Sequence, residues 1–171
     1  VLFRSAGAFC LAAVLAVTAV SMCRVFSDWD YLVPMLVMVV SLHAASLALR
    51  LLRVRGVVAL PLLFVLVALL TGLLYYRTSL SFGLPTGQTL DSVRVDARLV
   101  FRQFATAVAP VPSHGSFATA TAVALGVCAV LSDAFAFRAQ GRVEPVVPCG
   151  VLFVFAAALG TERQRVLLTV I

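Results

Sequence analysis

The chain has 171 residues, of which 63% are hydrophobic and only 12% are charged, and its mean hydropathy is +1.11. A soluble domain carries about a quarter of its residues as charged side chains. The composition therefore excludes a water-soluble globular domain and indicates an integral membrane protein. The net charge of +6 comes from thirteen arginines, with no lysine, against seven acidic residues. Because these arginines flank apolar runs, they are interpreted as membrane flanks, and no nucleic-acid partner is expected.

Five apolar stretches are each about long enough to cross a bilayer as a helix, and they predict an all-α polytopic membrane bundle. They cover about 6–23, 32–49, 57–76, 116–137 and 146–160. The first resembles a signal peptide in length, but further spans follow at once, which favours a retained helix. The fifth is the shortest, so a re-entrant or tilted helix is an alternative for it.

The two ends of the chain indicate a fragment of a longer membrane protein. The sequence begins at Val1 without a methionine, and another apolar run starts within Val166–Ile171. We therefore expect residues 1–171 to form one N-terminal transmembrane domain, with a truncated further span from residue 166.

Residues 77–115 interrupt the apolar pattern. A turn-rich linker at 81–87 precedes helical periodicity over about 89–109, which Pro110 ends. If this helix crossed the bilayer, its five charges would cost roughly 12–17 kcal/mol, against about 3–5 kcal/mol returned by its apolar side chains. We therefore predict an interfacial amphipathic helix that lies on the membrane surface.

This predicted surface helix has an apolar arc and a row of arginines beside it. The side chains expected to enter the membrane are Leu90, Phe101 and Phe104. The side chains expected to bind lipid headgroups are Arg94, Arg98 and Arg102, spaced four residues apart.

The arginine counts of the loops predict the orientation of the bundle. The 50–55 loop has three arginines, whereas the 24–30 loop has one. The positive-inside rule then places loops 50–55 and 138–142 in the cytoplasm and residues 77–115 outside the cell.

Two polar residues inside spans are candidates for function. Asp133 is a carboxylate four residues before the end of its span, and intramembrane carboxylates are functional candidates by default. Pairing with Arg138 or contact with interfacial water is the favoured interpretation. His43 lies mid-span near Ser41 and Ser46, and its own span offers no titratable partner for a proton relay. We therefore interpret it as a hydrogen-bonded packing histidine.

The remaining motifs predict packing and no chemistry. The four cysteines show neither C-x-x-C nor metal-ligand spacing, and no phosphate-binding glycine loop is present in the sequence. No catalytic residue, metal or cofactor is therefore predicted. A row of small residues, on which another helix can pack closely, consists of Ala118, Ala122 and Gly126.

Several short motifs follow one another in a fixed order: Phe82–Thr86, a surface helix from Leu90, Ala109–Pro112, a span containing Asp133, and Pro145–Phe155. This order resembles the N-terminal membrane region of bacterial transglutaminase-like membrane proteins of the TgpA type, particularly actinobacterial ones. The resemblance implies that the helices anchor, in the plasma membrane, an extracytoplasmic domain with a Cys-His-Asp site beyond Ile171. None of its catalytic positions maps onto this chain, and Cys149 and residues 163–165 depart from the pattern.

Membrane anchoring is thus the expected function, with the lipid bilayer and the downstream domain as partners and the oligomeric state left open. Two alternatives stay open beside it. A small transporter or channel subunit would use His43 and Asp133, facing one water-accessible cavity. A membrane interaction scaffold would use the face formed by the row of small residues.

Overall fold

A computed structural model describes residues 2–81, 83–104, 106–139, 141 and 143–160, with side chains from Gly7 onward. The predictions for 161–171, including the truncated span, lie outside the described residues. The predicted all-α fold class is confirmed, because the only sheet in the described part is a two-stranded hairpin. The helices are α1 Leu2–Ser21, α2 Leu32–Leu51, α3 Gly56–Tyr75, α4 Gly87–Gln103, α5 Ser116–Phe137 and α6 Val147–Leu159, and the strands are β1 Leu80–Ser81 and β2 Leu84–Pro85.

Four helices are long and apolar enough to cross a membrane. The spans coincide with α2, α3 and α5 and, for the first, with most of α1 and the 3-10 turn after it, Gly7–Arg24; they contain 18 to 22 residues, with hydropathies of 1.8 to 2.8. At about 1.5 Å per residue they are about 27–33 Å long, which matches the hydrocarbon thickness of a bilayer. The four corresponding predictions from the sequence therefore agree with the structure in length and composition.

The fifth predicted span, about 146–160, forms a shorter helix. Its helix, α6, has 13 residues, or about 20 Å, which is less than the hydrocarbon thickness of a bilayer. A 3-10 turn at Glu144–Val146 precedes it, with Pro145 buried, and Pro148 is the second residue of α6. A proline has no N–H to donate, so this pair favours a change of helical geometry where a continuous span would begin. Four of the five predicted spans thus form long helices, and the fifth forms a short apolar one.

The central helix of the bundle is α5, which contacts all five other helices. Small side chains on α5 permit this close approach. A Cβ atom built on Gly126 would lie 3.1 Å from Val67 Cγ1 and 3.4 Å from Met38 Sδ. Ala118 and Ala122 are fully buried in the same row.

The bundle has two distinct ends. At one end, named the Arg50 end here, α2 and α5 finish and α3 begins, and Gly56 packs against Arg138. At the other, named the α4 end, α4 covers the start of α5. The end of α6 lies there too, because Arg24 Nη1 donates to Ala157 O at 3.4 Å.

Helix α4 begins at a well-formed N-terminal cap. Thr86 is the capping residue, and its side chain accepts from the Thr89 N–H while the Thr89 hydroxyl accepts from the Thr86 N–H. This reciprocal pair satisfies two N–H groups that a helix start otherwise leaves unpaired. The helix therefore starts at Gly87, two residues before the predicted start.

The end of α4 differs more from the sequence prediction, because the helix stops at Gln103 and not near Ala109. The Thr106 hydroxyl donates to Gln103 O at 3.2 Å, a local bond that competes with helix continuation. Further on, the Val111 N–H donates to Val25 O at 2.8 Å, and the Ser27 N–H donates to Val111 O at 2.9 Å. The extended pairing with residues 25–27 draws the chain out of helical geometry before Pro110.

Candidate functional site

A buried ion pair joins α2 to α5 near the Arg50 end. Asp133 on α5 is 2% exposed, and its Oδ1 lies 3.3 Å from Arg50 Nη1 on α2. The Ser46 hydroxyl, one turn before Arg50, donates to Asp133 Oδ2. A carboxylate in a membrane interior is tolerated when it is paired and hydrogen-bonded, and both conditions hold here.

The planar face of the Arg50 guanidinium also packs against an aromatic ring. Its Cζ lies 3.7 Å from the centre of the Phe137 ring, which is a cation–π contact. Gly7 on α1 packs against the same ring, where a Cβ would come within 3.3 Å of Phe137 Cζ. Three helices thus meet around Arg50, and a side chain at position 7 would push against this stack.

Asp133 was expected to pair with Arg138 or to contact interfacial water. The structure pairs it with Arg50 instead. Residues five apart on a helix are separated by about 140° around its axis, so Asp133 and Arg138 do not share a face. Arg138 lies beside Gly56 instead. Arg50 and Arg138 therefore lie at different positions at the Arg50 end of the bundle.

His43 lies one turn deeper than Ser46 on α2 and is 7% exposed. Its Nδ1 is 2.9 Å from Val39 O, so a hydrogen bond to the preceding turn is formed when Nδ1 carries the proton. Its Nε2 has no hydrogen-bond partner among the described residues. His43 is thus packed and bonded within its own helix, and Asp133 is contacted by Ser46 and Arg50.

The surface residues predicted on α4 are exposed in the structure. Leu90, Phe101 and Phe104 are 56%, 83% and 51% exposed, so the bundle leaves the apolar arc uncovered. Arg98 and Arg102 are exposed as well. Arg94 forms an exposed ion pair with Asp91, with Nη1 and Oδ1 separated by 3.3 Å. That local pair offsets part of the positive charge of the arginine row.

Two groups of hydrogen bonds fasten α4 to the end of α3, and sequence reasoning missed both. The Tyr76 hydroxyl donates to Asp96 Oδ2 at 2.6 Å. The hydroxyls of Thr86 and Thr89 each donate to Ser79 O at 2.7 Å. Burial, reinforced by the bond to Asp96, raises the pKa of Tyr76 above its ordinary value. The sequence held one indication of this attachment. Asp96 lies on the side of α4 opposite the arginine row, where a contact with the bundle is possible.

The row Ala118, Ala122 and Gly126 packs against other helices of the same chain. All three residues are buried, and Gly126 packs against α2 and α3. The row therefore presents no open surface.

The described residues contain no group of three or more metal-ligating side chains. In comparisons with known proteins, no protein-family model, curated protein or solved structure matches this chain.

Proposed function

We propose that this chain is a membrane-anchoring domain that holds α4 on the outer surface of a bacterial plasma membrane. In this proposal it anchors an extracytoplasmic transglutaminase-like domain that follows in the same protein. The observation that carries the anchoring function is the asymmetry of α4. Its Asp96 side is bonded to the bundle, while its apolar arc around Phe101 is left uncovered. An uncovered apolar helix face beside transmembrane helices is accommodated by lipid.

The path of the chain supports the second part of the proposal. The end of α6 lies beside Arg24, at the α4 end of the bundle. A segment that continues from Gly160 therefore starts on the side where α4 lies. A domain that follows without another crossing of the membrane would meet the same membrane surface as α4.

The position of α4 can be tested with a single fluorescent reporter. Trp29 is the one tryptophan of the chain, so Phe101→Trp in a Trp29→Phe background reports on α4 alone. In vesicles that contain anionic lipid, we expect lipids brominated near the headgroup to quench this reporter and aqueous iodide to quench it weakly. Replacing Arg94, Arg98 and Arg102 with glutamate should reverse that order, because the charges would then be repelled by lipid phosphates. Glutamate at Arg53 and Arg55 is the matched control, and strong iodide quenching without the glutamates would contradict the proposal.

The side of the membrane needs a separate experiment. In a chain whose cysteines are replaced by alanine, Gln88→Cys should react with an impermeant thiol reagent in intact cells. Arg53→Cys, exposed at the opposite end, should react only after lysis. The reverse pattern would contradict the outward orientation. Reading the gene beyond Ile171 tests the anchored domain, which requires Cys, then His, then Asp in a soluble domain.

The transporter alternative has weaker support from the geometry. It requires Asp133 to exchange protons or ions with water. Its Oδ1 forms an ion pair with Arg50, however, and its Oδ2 accepts a hydrogen bond from Ser46. This arrangement is typical of a structural ion pair. Transport that is lost in Asp133→Asn, in a protein that keeps its stability, would favour the alternative over the anchor.

A further inference from the structure

An apolar groove of about 560 Å³ opens at the α4 end of the bundle. Phe104 and the segment that follows α4 form one wall. Ala120 and Ala124 on α5 form the floor, and Phe155 on α6 forms the other wall. The rings of Phe104 and Phe155 stack with centroids 6.0 Å apart, so the two walls touch at one point.

The side chains that line the groove are apolar except for one threonine. Its one side-chain hydroxyl belongs to Thr121, which donates to Phe117 O at 2.9 Å and is therefore satisfied. Cavities without polar partners stay dry or take up apolar molecules. Ala120 and Ala124 lie about 6–12 Å along α5 from its start, which is the depth of acyl chains in the adjoining leaflet.

The positively charged side chain of Arg24 lies at the edge of the groove. Arg24 is anchored to Ala157 O, and the neighbouring residues Val25, Ala158 and Leu159 belong to the groove lining. A guanidinium beside an apolar groove at a membrane surface matches a phospholipid, whose phosphate is negative and whose tails are apolar.

We propose that this groove binds one acyl chain of an anionic phospholipid, with the phosphate held against Arg24. This inference rests on the proposed surface position of α4, because the end of that helix forms one wall. The bound lipid fills the space between α4 and α6 and ties the surface helix to the bundle.

The test uses the full chain in vesicles of neutral phosphatidylcholine. An increasing fraction of acyl-brominated phosphatidylglycerol is added, and quenching is followed in a Trp29→Phe background. The reporter Phe155→Trp lies in the groove, and the control Phe64→Trp lies on the lipid-facing side of α3. The two phenylalanines are 39% and 41% exposed. We expect quenching at position 155 to saturate at a low fraction of brominated lipid, while quenching at position 64 rises in proportion to that fraction.

Two substitutions refine the result. Arg24→Gln should raise the fraction needed for half-saturation about fivefold, the effect of losing about 1 kcal/mol of attraction per charge. Ala124→Phe should fill the groove and remove the saturating component, while Ala13→Phe, at an exposed site on α1, should leave it unchanged. Should Ala124→Phe fail to fold, native mass spectrometry of the unaltered protein must still find one retained phospholipid.

The same proportional quenching at both positions would overturn the proposal, as would equal saturation by a brominated neutral lipid. Absence of quenching at position 155 would also overturn it, since the groove would then be covered by protein. Failure of the groove is distinguishable from failure of the proposed function, because the Phe101→Trp reporter measures the position of α4 independently.

Discussion

Two aspartates fasten helices together in this protein, and their surroundings differ. Asp133 joins α5 to α2 with a cation and a hydroxyl as partners, and it is 2% exposed. Asp96 joins α4 to the end of α3 through the hydroxyl of Tyr76, and it is only half-buried. The first contact is made inside the bundle and the second at its edge.

The comparison shows how burial sets the strength of a polar contact. A charge pair in a poorly polarisable interior is costly to break, because removing one partner leaves the other buried and unpaired. A hydrogen bond to a carboxylate that water can also reach contributes about 1.5 kcal/mol. The bundle is therefore fixed by its internal contacts, while α4 is attached by weaker contacts at the edge of the bundle.

The largest expected effect comes from removing the buried carboxylate. Asp133→Ala should lower the free energy of unfolding by about 3 kcal/mol, because Arg50, which is only 14% exposed, then loses its counter-charge. Thermal unfolding in detergent, followed by circular dichroism, measures the effect.

Asp91→Ala is the matched control, since it removes the carboxylate of an ion pair in which both side chains are largely exposed. Its effect should be below about 1 kcal/mol. Replacing Asp133 and Arg50 together with leucine should restore most of the stability. Equal losses for Asp133→Ala and Asp91→Ala would show that the buried pair contributes nothing beyond a surface contact.

Packing of the central helix comes next in magnitude. Gly126→Val places a branched side chain where Val67 is only 3.1 Å from the built Cβ. We expect a loss of about 1–3 kcal/mol from overpacking. Gly150→Val on α6 makes the same chemical change where no atom lies within 4 Å of the built Cβ, and it should leave the unfolding midpoint nearly unchanged. Similar shifts in both variants would refute close packing at Gly126.

Hydropathy alone predicted the four long helices, because a span needs only a run of apolar residues. The charge of Asp91, Arg94 and Arg98 likewise predicted that α4 does not cross the membrane. Both inferences depend on local composition. They required no knowledge of which helices are neighbours.

The contacts between distant parts of the chain could not be predicted from local composition. Asp133 was expected to pair within its own sequence neighbourhood, yet its partner Arg50 lies on another helix and is brought near by the packing of α2 on α5. The early end of α4 depends on Val111 pairing with Val25. In both cases the decisive partner is far away in sequence, where periodicity carries no information.

The attachment of α4 should weaken measurably when one hydroxyl is removed. Tyr76→Phe deletes the bond to the Asp96 carboxylate and should destabilise the attachment by about 1.5 kcal/mol. Trypsin cleavage at the exposed Arg98 and Arg102 of vesicle-bound protein should then be faster. Tyr75→Phe is the neighbouring control, since the Tyr75 hydroxyl has no hydrogen-bond partner within the described residues. Equal cleavage rates for both variants would contradict a role for the Tyr76 bond.

The smallest effect is a dependence on alkaline pH. The pKa of Tyr76 is raised above the ordinary value of 10.0, first by burial and then by its bond to Asp96. The protonated form is thus favoured when α4 is attached. Its contribution is present below about pH 10 and is lost as the pH rises through the raised pKa. A spin label on Gln88→Cys should therefore become more mobile above pH 10, while the arginines keep their charge. In Tyr76→Phe the mobility should already be higher at neutral pH and should change less over the same range, and an identical pH profile in both proteins would exclude Tyr76 as the titrating group.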